Sequence, residues 1–218
     1  MKGMISAGIL FWLIICSFPE IRAQQTESDF RRVEDVEYLL KRLNGKALKT
    51  ESIQSNFTQD KHLSVLEEVI SSKGSFWFKK ENKLKWAYET PFEYAVILSE
   101  GKFTIVDGSS VSAFDVESNE AFKRINDLII DLVRGRISSS EQFRIRAMEN
   151  PDFYRIRMIP ADSQMKDVIS EMQIFFSKTD LSVARIIMNE GPADYTVITF
   201  SDSRFNESIP DSVFTAQR

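Results

Sequence analysis

The chain predicts an α+β fold: a strongly curved antiparallel sheet of about eleven strands with helices against its concave side. Three features predict it. Most of the chain alternates apolar and polar residues at the strand period, short turn signals separate these runs, and the period becomes helical in only two places. Strands joined by such short turns pair antiparallel, and a sheet this wide must curl or split.

The first element precedes the fold. Lys2, the apolar run at 4–16 and "SFPEIRA" ending at the small residue Ala23 read as a secretory signal over residues 1–23. The run is too short to span a bilayer. Cys16, in "LIIC", leaves a lipid-modified cysteine as an alternative, against which the bulky Ile15 stands. Cleavage after Ala23 leaves residues 24–218 as one domain, exported to a bacterial envelope, with nothing marking an internal linker. Losing Lys2, Arg22 and Glu20 removes a net +1 and takes the formal charge from −4 to −5. An acidic chain without a basic cluster argues against nucleic acid and against firm attachment to anionic lipid. Cys16 is the sole cysteine, so the exported chain has no disulfide and depends on its core.

The spacing predicts a helix over 28–45, capped by Ser28, lined by Phe30, Val33, Val36, Leu40 and Leu43, and ended by Asn44-Gly45. Strands are predicted at 51–62, 66–80, 83–90, 93–99, 102–107 and 109–115. The run "YAVILS" (94–99) is apolar on both faces, as a central strand would be. In 118–135 the positions Phe122, Ile125, Ile129, Leu132 and Val133 recur at helical spacing. Alternation returns at 141–148, 152–159, 171–178, 182–190 and 194–201, with 161–170 predicted as a loop.

Catalytic signals are scarce. A single histidine, His62, excludes a metal site built on two imidazoles and would have to serve alone in any Ser-His or Cys-His pair. Beside Asp60 and Lys61 at a strand end, a solvated histidine is the plainer reading. No nucleotide-binding or nucleophile-elbow pattern occurs, and spacing singles out no pair among 32 acidic residues. The expectation is a protein that is not an enzyme and has neither cofactor nor metal.

The segment "GSFWFKKENKLKWAYETP" (74–91) is the most informative. Alternation puts Phe76 and Phe78 on one face of the first run and Leu84, Trp86 and Tyr88 on one face of the second. A hairpin turning at 80–82 joins them as one aromatic wall, either plain core or a surface that holds an apolar ligand. Alternation alone favours the core.

The order of four short motifs adds to this reading. "NFTQ" (56–59) precedes "GSFWFKKENKLKW" (74–86), and "PFEYAVILSEGK" (91–102) follows it. The fourth, "FSDSRFNESIPDSVF" (200–214), has the pattern F…N..I….F at Phe200, Asn206, Ile209 and Phe214. In that order and spacing, over roughly residues 30–214, the chain resembles the LolA family of periplasmic carriers of outer-membrane lipoproteins.

The resemblance implies an incomplete antiparallel barrel of about eleven strands, with helices forming a lid over a hydrophobic cavity. Its ligands would be the acyl chains of acylated lipoproteins. An ATP-driven inner-membrane complex would release the lipoprotein, and an outer-membrane acceptor would receive it from the monomeric carrier. It also turns the wall toward the ligand: Phe76, Phe78, Leu84, Trp86 and Tyr88 as cavity residues, facing Phe122, Ile125, Ile129 and Leu132 on the lid. Family members carry "RPN" in the hairpin turn, where the arginine ties the lid shut. Here the turn is "KEN", with Lys80 at the arginine and Glu81 at the proline. Lysine lacks the planar fork that fixes several acceptors, so the latch is in question and a looser closed state is implied. A carrier of the same fold for another amphiphile, a polyene lipid or a glycolipid, stays open, as does a regulator that senses lipoproteins.

Overall fold

The computed structural model describes residues 29–80, 82–115, 143–161, 163–166 and 169–216. The expected signal at 1–23, Cys16, the cap Ser28, the turn residue Glu81 and the lid stripe at Phe122, Ile125, Ile129 and Leu132 lie outside these residues.

Among the described residues twelve strands form one antiparallel, curved and unclosed sheet. In chain order they are β1 (Arg31–Arg32), β2 (Ser52–His62), β3 (Ile70–Lys79), β4 (Lys83–Thr90), β5 (Tyr94–Ser99) and β6 (Lys102–Asp107). Next come β7 (Ser110–Asp115), β8 (Phe143–Glu149), β9 (Phe153–Pro160), β10 (Glu171–Ser177), β11 (Val183–Asn189) and β12 (Tyr195–Phe205). The spatial order is β1-β8-β9-β10-β11-β12-β2-β3-β4-β5-β6-β7, so two runs of sequential hairpins are sewn together where β12 meets β2. The eleven expected strands are present, and the two-residue β1, added along β8, makes the twelfth.

The N-terminal helix departs from expectation. Helix α1 spans Val36–Lys49 rather than 28–45. Asp35 provides the cap, its carboxylate accepting the Tyr38 N–H at 2.8 Å, and this fixes the start seven residues after Ser28. Phe30 lies outside the helix, edge-on to Phe175 at 6.0 Å and beneath the Arg155 guanidinium. Gly45 does not end the helix, because Leu43 and Ala47 on either side of it are buried on the same stripe as Leu39. That burial outweighs a glycine cost of about 1 kcal/mol. The chain leaves at Thr50, whose hydroxyl donates to the Lys46 carbonyl.

Three smaller departures have local causes. β3 starts at Ile70 because 63–69 forms a turn, with the Leu66 N–H on the Leu63 carbonyl and the Ser64 N–H on Asp194. β12 runs on to Phe205 through a bulge after Ser201, where Asp202 takes a positive φ of 53°. Within the expected loop 161–170, Ser163–Lys166 forms the short helix α2.

The two faces of the sheet are covered differently. Leu39 and Leu43 of α1 pack with Ile156, Met158, Met172, Ile174 and Phe176 of β9 and β10. On the same side Phe57, Phe76, Phe78, Leu84, Leu98 and Ile198 form a second cluster. β5 is buried on both faces, as its sequence suggested. Leu98 faces this second cluster, while Ile97 packs on the opposite face with Ile209 and Phe214 of the C-terminal tail. The tail is held by Asn206, whose Oδ1 accepts the Glu51 N–H at 2.8 Å, and by Lys79 and Lys83, which both reach Asp211.

Candidate functional site

Between α1 and the helix-side face of the sheet lies a cavity of about 280 Å3. Leu43, Lys46 and Thr50 bound it on the helix side. Ile53, Ser55 and Gln59 of β2, Phe76 of β3, and Trp86 and Tyr88 of β4 form one wall. Val183, Ile186 and Met188 of β11, with Ile198, Phe200 and Phe205 of β12, form the other. The wall positions follow the two-residue strand period, since one face of each strand points to the helix side.

The aromatic wall is real but divided. β3 and β4 pair Phe78 with Leu84 and Phe76 with Trp86, and Gly74 sits opposite Tyr88. Phe76, Trp86 and Tyr88 line the cavity. Phe78 and Leu84 do not: they lie in the packed cluster, which Phe76 also joins, but away from the cavity surface. For these two, expected with the others as ligand-facing, the structure gives a core position. The reason is Leu98, which pairs with Leu84 from the next strand and closes that end of the wall.

Trp86 is the hub of the remaining aromatics. The Phe57 ring lies 4.7 Å from it and, edge-on, 5.1 Å from Tyr88. Phe76 and Phe200 meet Trp86 edge-on at 5.2 and 5.9 Å. Gly74 makes this packing possible: a Cβ there would stand 1.9 Å from the Ala87 carbonyl oxygen and 2.9 Å from the Phe57 ring.

The cavity also has polar fixtures. The Tyr88 hydroxyl donates to Gln59 Oε1 at 2.9 Å, and its ring stacks on Tyr94 at 4.2 Å. Burial first, then Tyr94, push the Tyr88 phenol far above its ordinary value, so it stays a neutral donor. The Trp86 indole N–H is buried on the Tyr88 side and slightly eases that shift. It does not reach hydrogen-bond geometry with any described acceptor. Further along, Ser55 and Ser203 are bonded at 2.8 Å, and the Lys46 ammonium lies 4.8 Å above the Phe205 ring.

Lys80 lies at the β3–β4 turn. Its ammonium donates to the Leu48 carbonyl of α1 at 3.4 Å and pairs with Glu51. It therefore joins the hairpin to the C-terminal end of α1, where a cation also suits the helix dipole. His62 stacks on Tyr195 at 4.2 Å. Among the described residues no group of three or more histidine, cysteine or acidic side chains could hold a metal ion, and no helix is long and apolar enough to cross a membrane.

Ile186, Met188, Ile198 and Phe200 are cavity residues that the sequence reading did not single out, as is Gln59. Their signal was present in part. Gln59 belongs to "NFTQ" and Phe200 opens the tail motif, but nothing local in β11 or β12 separates a wall residue from a core one. The rest of the tail motif is structural: Asn206 ties the tail to β2, and Ile209 and Phe214 cover the far face.

An unclosed, curled sheet whose helix-covered face retains an apolar cavity defines a β-scaffold built around an internal pocket. The chain belongs to the LolA family: the family model described as outer membrane lipoprotein carrier protein LolA matches residues 48–217. Solved structures are similar to the chain at low identity. An uncharacterized conserved protein from Thermus thermophilus superposes with a TM-score of 0.53 at 6% identity, covering 84% of this chain and 95% of that one. MucB gives a TM-score of 0.53 at 11% identity and 85% coverage, this chain spanning 64% of MucB's length. LolA superfamily protein NE2245 from Nitrosomonas europaea gives 0.45 at 11% identity, covering 83% of this chain and 97% of that one. No curated protein sequence matches the chain.

Proposed function

We propose that this protein is a periplasmic carrier that shields the acyl chains of lipoproteins between the inner and outer membranes. The observation that carries the reading is the cavity under α1, lined by Ile53, Phe76, Trp86, Ile186, Ile198 and Phe200 in a chain of the LolA family. The physical need is plain. Each methylene removed from water gains about 0.8 kcal/mol, so a sixteen-carbon chain left exposed costs roughly 10 kcal/mol. A lipoprotein with two or three such chains cannot cross an aqueous gap unshielded.

Release requires that binding not be too strong. The aromatic contacts around Phe57 hold part of the wall against itself, and opening them for a ligand offsets part of the burial gain. In this reading the carrier is monomeric, is exported by a cleaved signal, and catalyses no reaction. It receives lipoprotein from an ATP-driven inner-membrane complex and yields it to an outer-membrane acceptor.

The test is the lipid recovered with protein purified from its native envelope. Mass spectrometry should find diacylglyceryl-cysteine peptides in stoichiometric amount. A polyene lipid or glycolipid instead would redirect the proposal to a carrier of that amphiphile. An empty protein whose effect in the cell depends on a membrane partner would replace it with a lipoprotein-sensing regulator.

A further inference from the structure

We infer that the loops at 63–69 and 91–93, with the start of β3, form a docking surface for a partner protein that presents an apolar cleft flanked by lysine or arginine. The inference is independent of the carrier reading, since none of these residues lines the cavity.

Both loops expose apolar side chains. Val65 is 85% exposed and Phe92 78%, and Leu66, Val69 and Ile70 lie between 43% and 48%. Topology brings the two loops together, because β3 is hydrogen-bonded to β2 on one side and to β4 on the other. Ile70 pairs with Lys61 of β2, and Lys73, three residues on, pairs with Thr90 of β4, two residues before Phe92. Neighbouring strands stand about 4.8 Å apart, so the five side chains share one end of three adjacent strands. The first loop is held in place. The Leu66 N–H donates to the Leu63 carbonyl at 2.9 Å, which puts Val65 inside a tight turn, and the Ser64 N–H donates to Asp194 at 2.7 Å. Single exposed apolar residues are ordinary, but a group of them presented together marks an interaction site.

Charge decides the occupant. Glu67 and Glu68 stand between Leu66 and Val69, and Glu93 follows Phe92. All three are exposed and make no ion pair among the described residues, while nearby Lys61 is committed to Glu190 at 2.7 Å. A second copy of this chain would set these carboxylates against their own kind, and an anionic bilayer would repel them. A bilayer of any charge would have to desolvate Glu67 and Glu68 along with Leu66 and Val69. A protein with an apolar cleft between cations suits both halves of the surface. Burial of the apolar tips supplies affinity, and the flanking charges set orientation and encounter rate. Seated there, the partner stands at the strand end that carries Gln59 and Tyr88 of the cavity, three residues before the end of β2 and two before the end of β4.

The test puts the photo-crosslinker p-benzoylphenylalanine in place of Val65, of Phe92 or, as a control, of Leu48, which is 71% exposed on α1. Each full-length protein is irradiated in its native cells. Positions 65 and 92 should capture the same protein, mapped by mass spectrometry to an apolar segment flanked by lysine or arginine, and position 48 should not. Glu67→Lys with Glu68→Lys should cut the yield at position 65 about 10-fold and leave the circular dichroism spectrum unaltered. No adduct, the same adduct from position 48, or an adduct with this chain itself would overturn the proposal. So would a captured segment without cations, or a yield that survives charge reversal in a folded variant. Crosslinks at 65 and 92 decide the matter even if the charge variant does not fold. Wild-type protein that sediments with phosphatidylethanolamine vesicles, and ceases to in Val65→Ser with Phe92→Ser, would overturn it in favour of a lipid surface.

Discussion

Phe78 and Leu84 face each other across the β3–β4 ladder away from the cavity, while the adjacent pair, Phe76 and Trp86, borders it. One rung therefore separates packed core from cavity wall, although Phe76 is itself as buried as Leu84. Leu84→Ala should cost about 2–5 kcal/mol, and Leu84→Glu, which buries an unpaired carboxylate, should unfold the chain. Ile186→Glu, at the cavity, should leave a folded protein that no longer binds an apolar fluorescent probe. Circular dichroism and a probe titration on the three variants check the boundary. A folded Leu84→Glu protein would place that rung in the cavity after all.

This boundary shows what the sequence could and could not disclose. Alternation put Phe76, Phe78, Leu84, Trp86 and Tyr88 on one face, and that was enough for strand order and facing. Whether a position on that face meets another side chain or empty space depends on residues far away in the chain. Leu98 closes the Leu84 end, while Trp86, Ile186 and Phe200 border the cavity. The helix boundary failed for a different reason. Local signals favoured Ser28 and Gly45, but burial of Leu39, Leu43 and Ala47 against the sheet moved α1 forward to Asp35 and Thr50.

Two glycines should respond oppositely to alanine. At Gly45, inside α1, a Cβ meets nothing within 4 Å, so Gly45→Ala should stabilise the protein by about 0.5–1 kcal/mol. At Gly74 the Cβ would collide with the Ala87 carbonyl, which cannot move without breaking the ladder. Gly74→Ala should cost about 3 kcal/mol or more. Urea unfolding of both variants reads the two signs directly, and a neutral Gly74→Ala would mean that the Phe57 packing is looser than described.

Lys80 connects the hairpin to α1 through an exposed contact, so folding stability should hardly notice its loss. Lys80→Leu is expected to change stability by about 1 kcal/mol or less. If the contact governs access to the cavity, the variant should exchange a bound fluorescent fatty ester faster than wild type in stopped flow. Unchanged exchange would make Lys80 an ordinary turn residue, and a large fall in melting temperature would make it a structural one.

Tyr88 makes the fold sensitive to alkali. Its phenol is raised above the ordinary value of 10.0, chiefly by burial and then by Tyr94. The folded state therefore holds the proton more tightly than the unfolded chain. The resulting stability is fully present below the unfolded value and is lost as pH rises above it toward the folded one. Urea midpoints should consequently be flat in this term through neutral pH and begin to fall above about pH 10. Tyr88→Phe cannot ionise, so it should show a shallower decline over that range, while the other tyrosines contribute equally to both proteins. It should also be less stable at neutral pH, because Gln59 Oε1 loses its donor at a cost of about 1 kcal/mol. Parallel alkaline limbs in the two proteins would show that the Tyr88 hydroxyl reaches water, and that this end of the cavity is wetter than its packing implies.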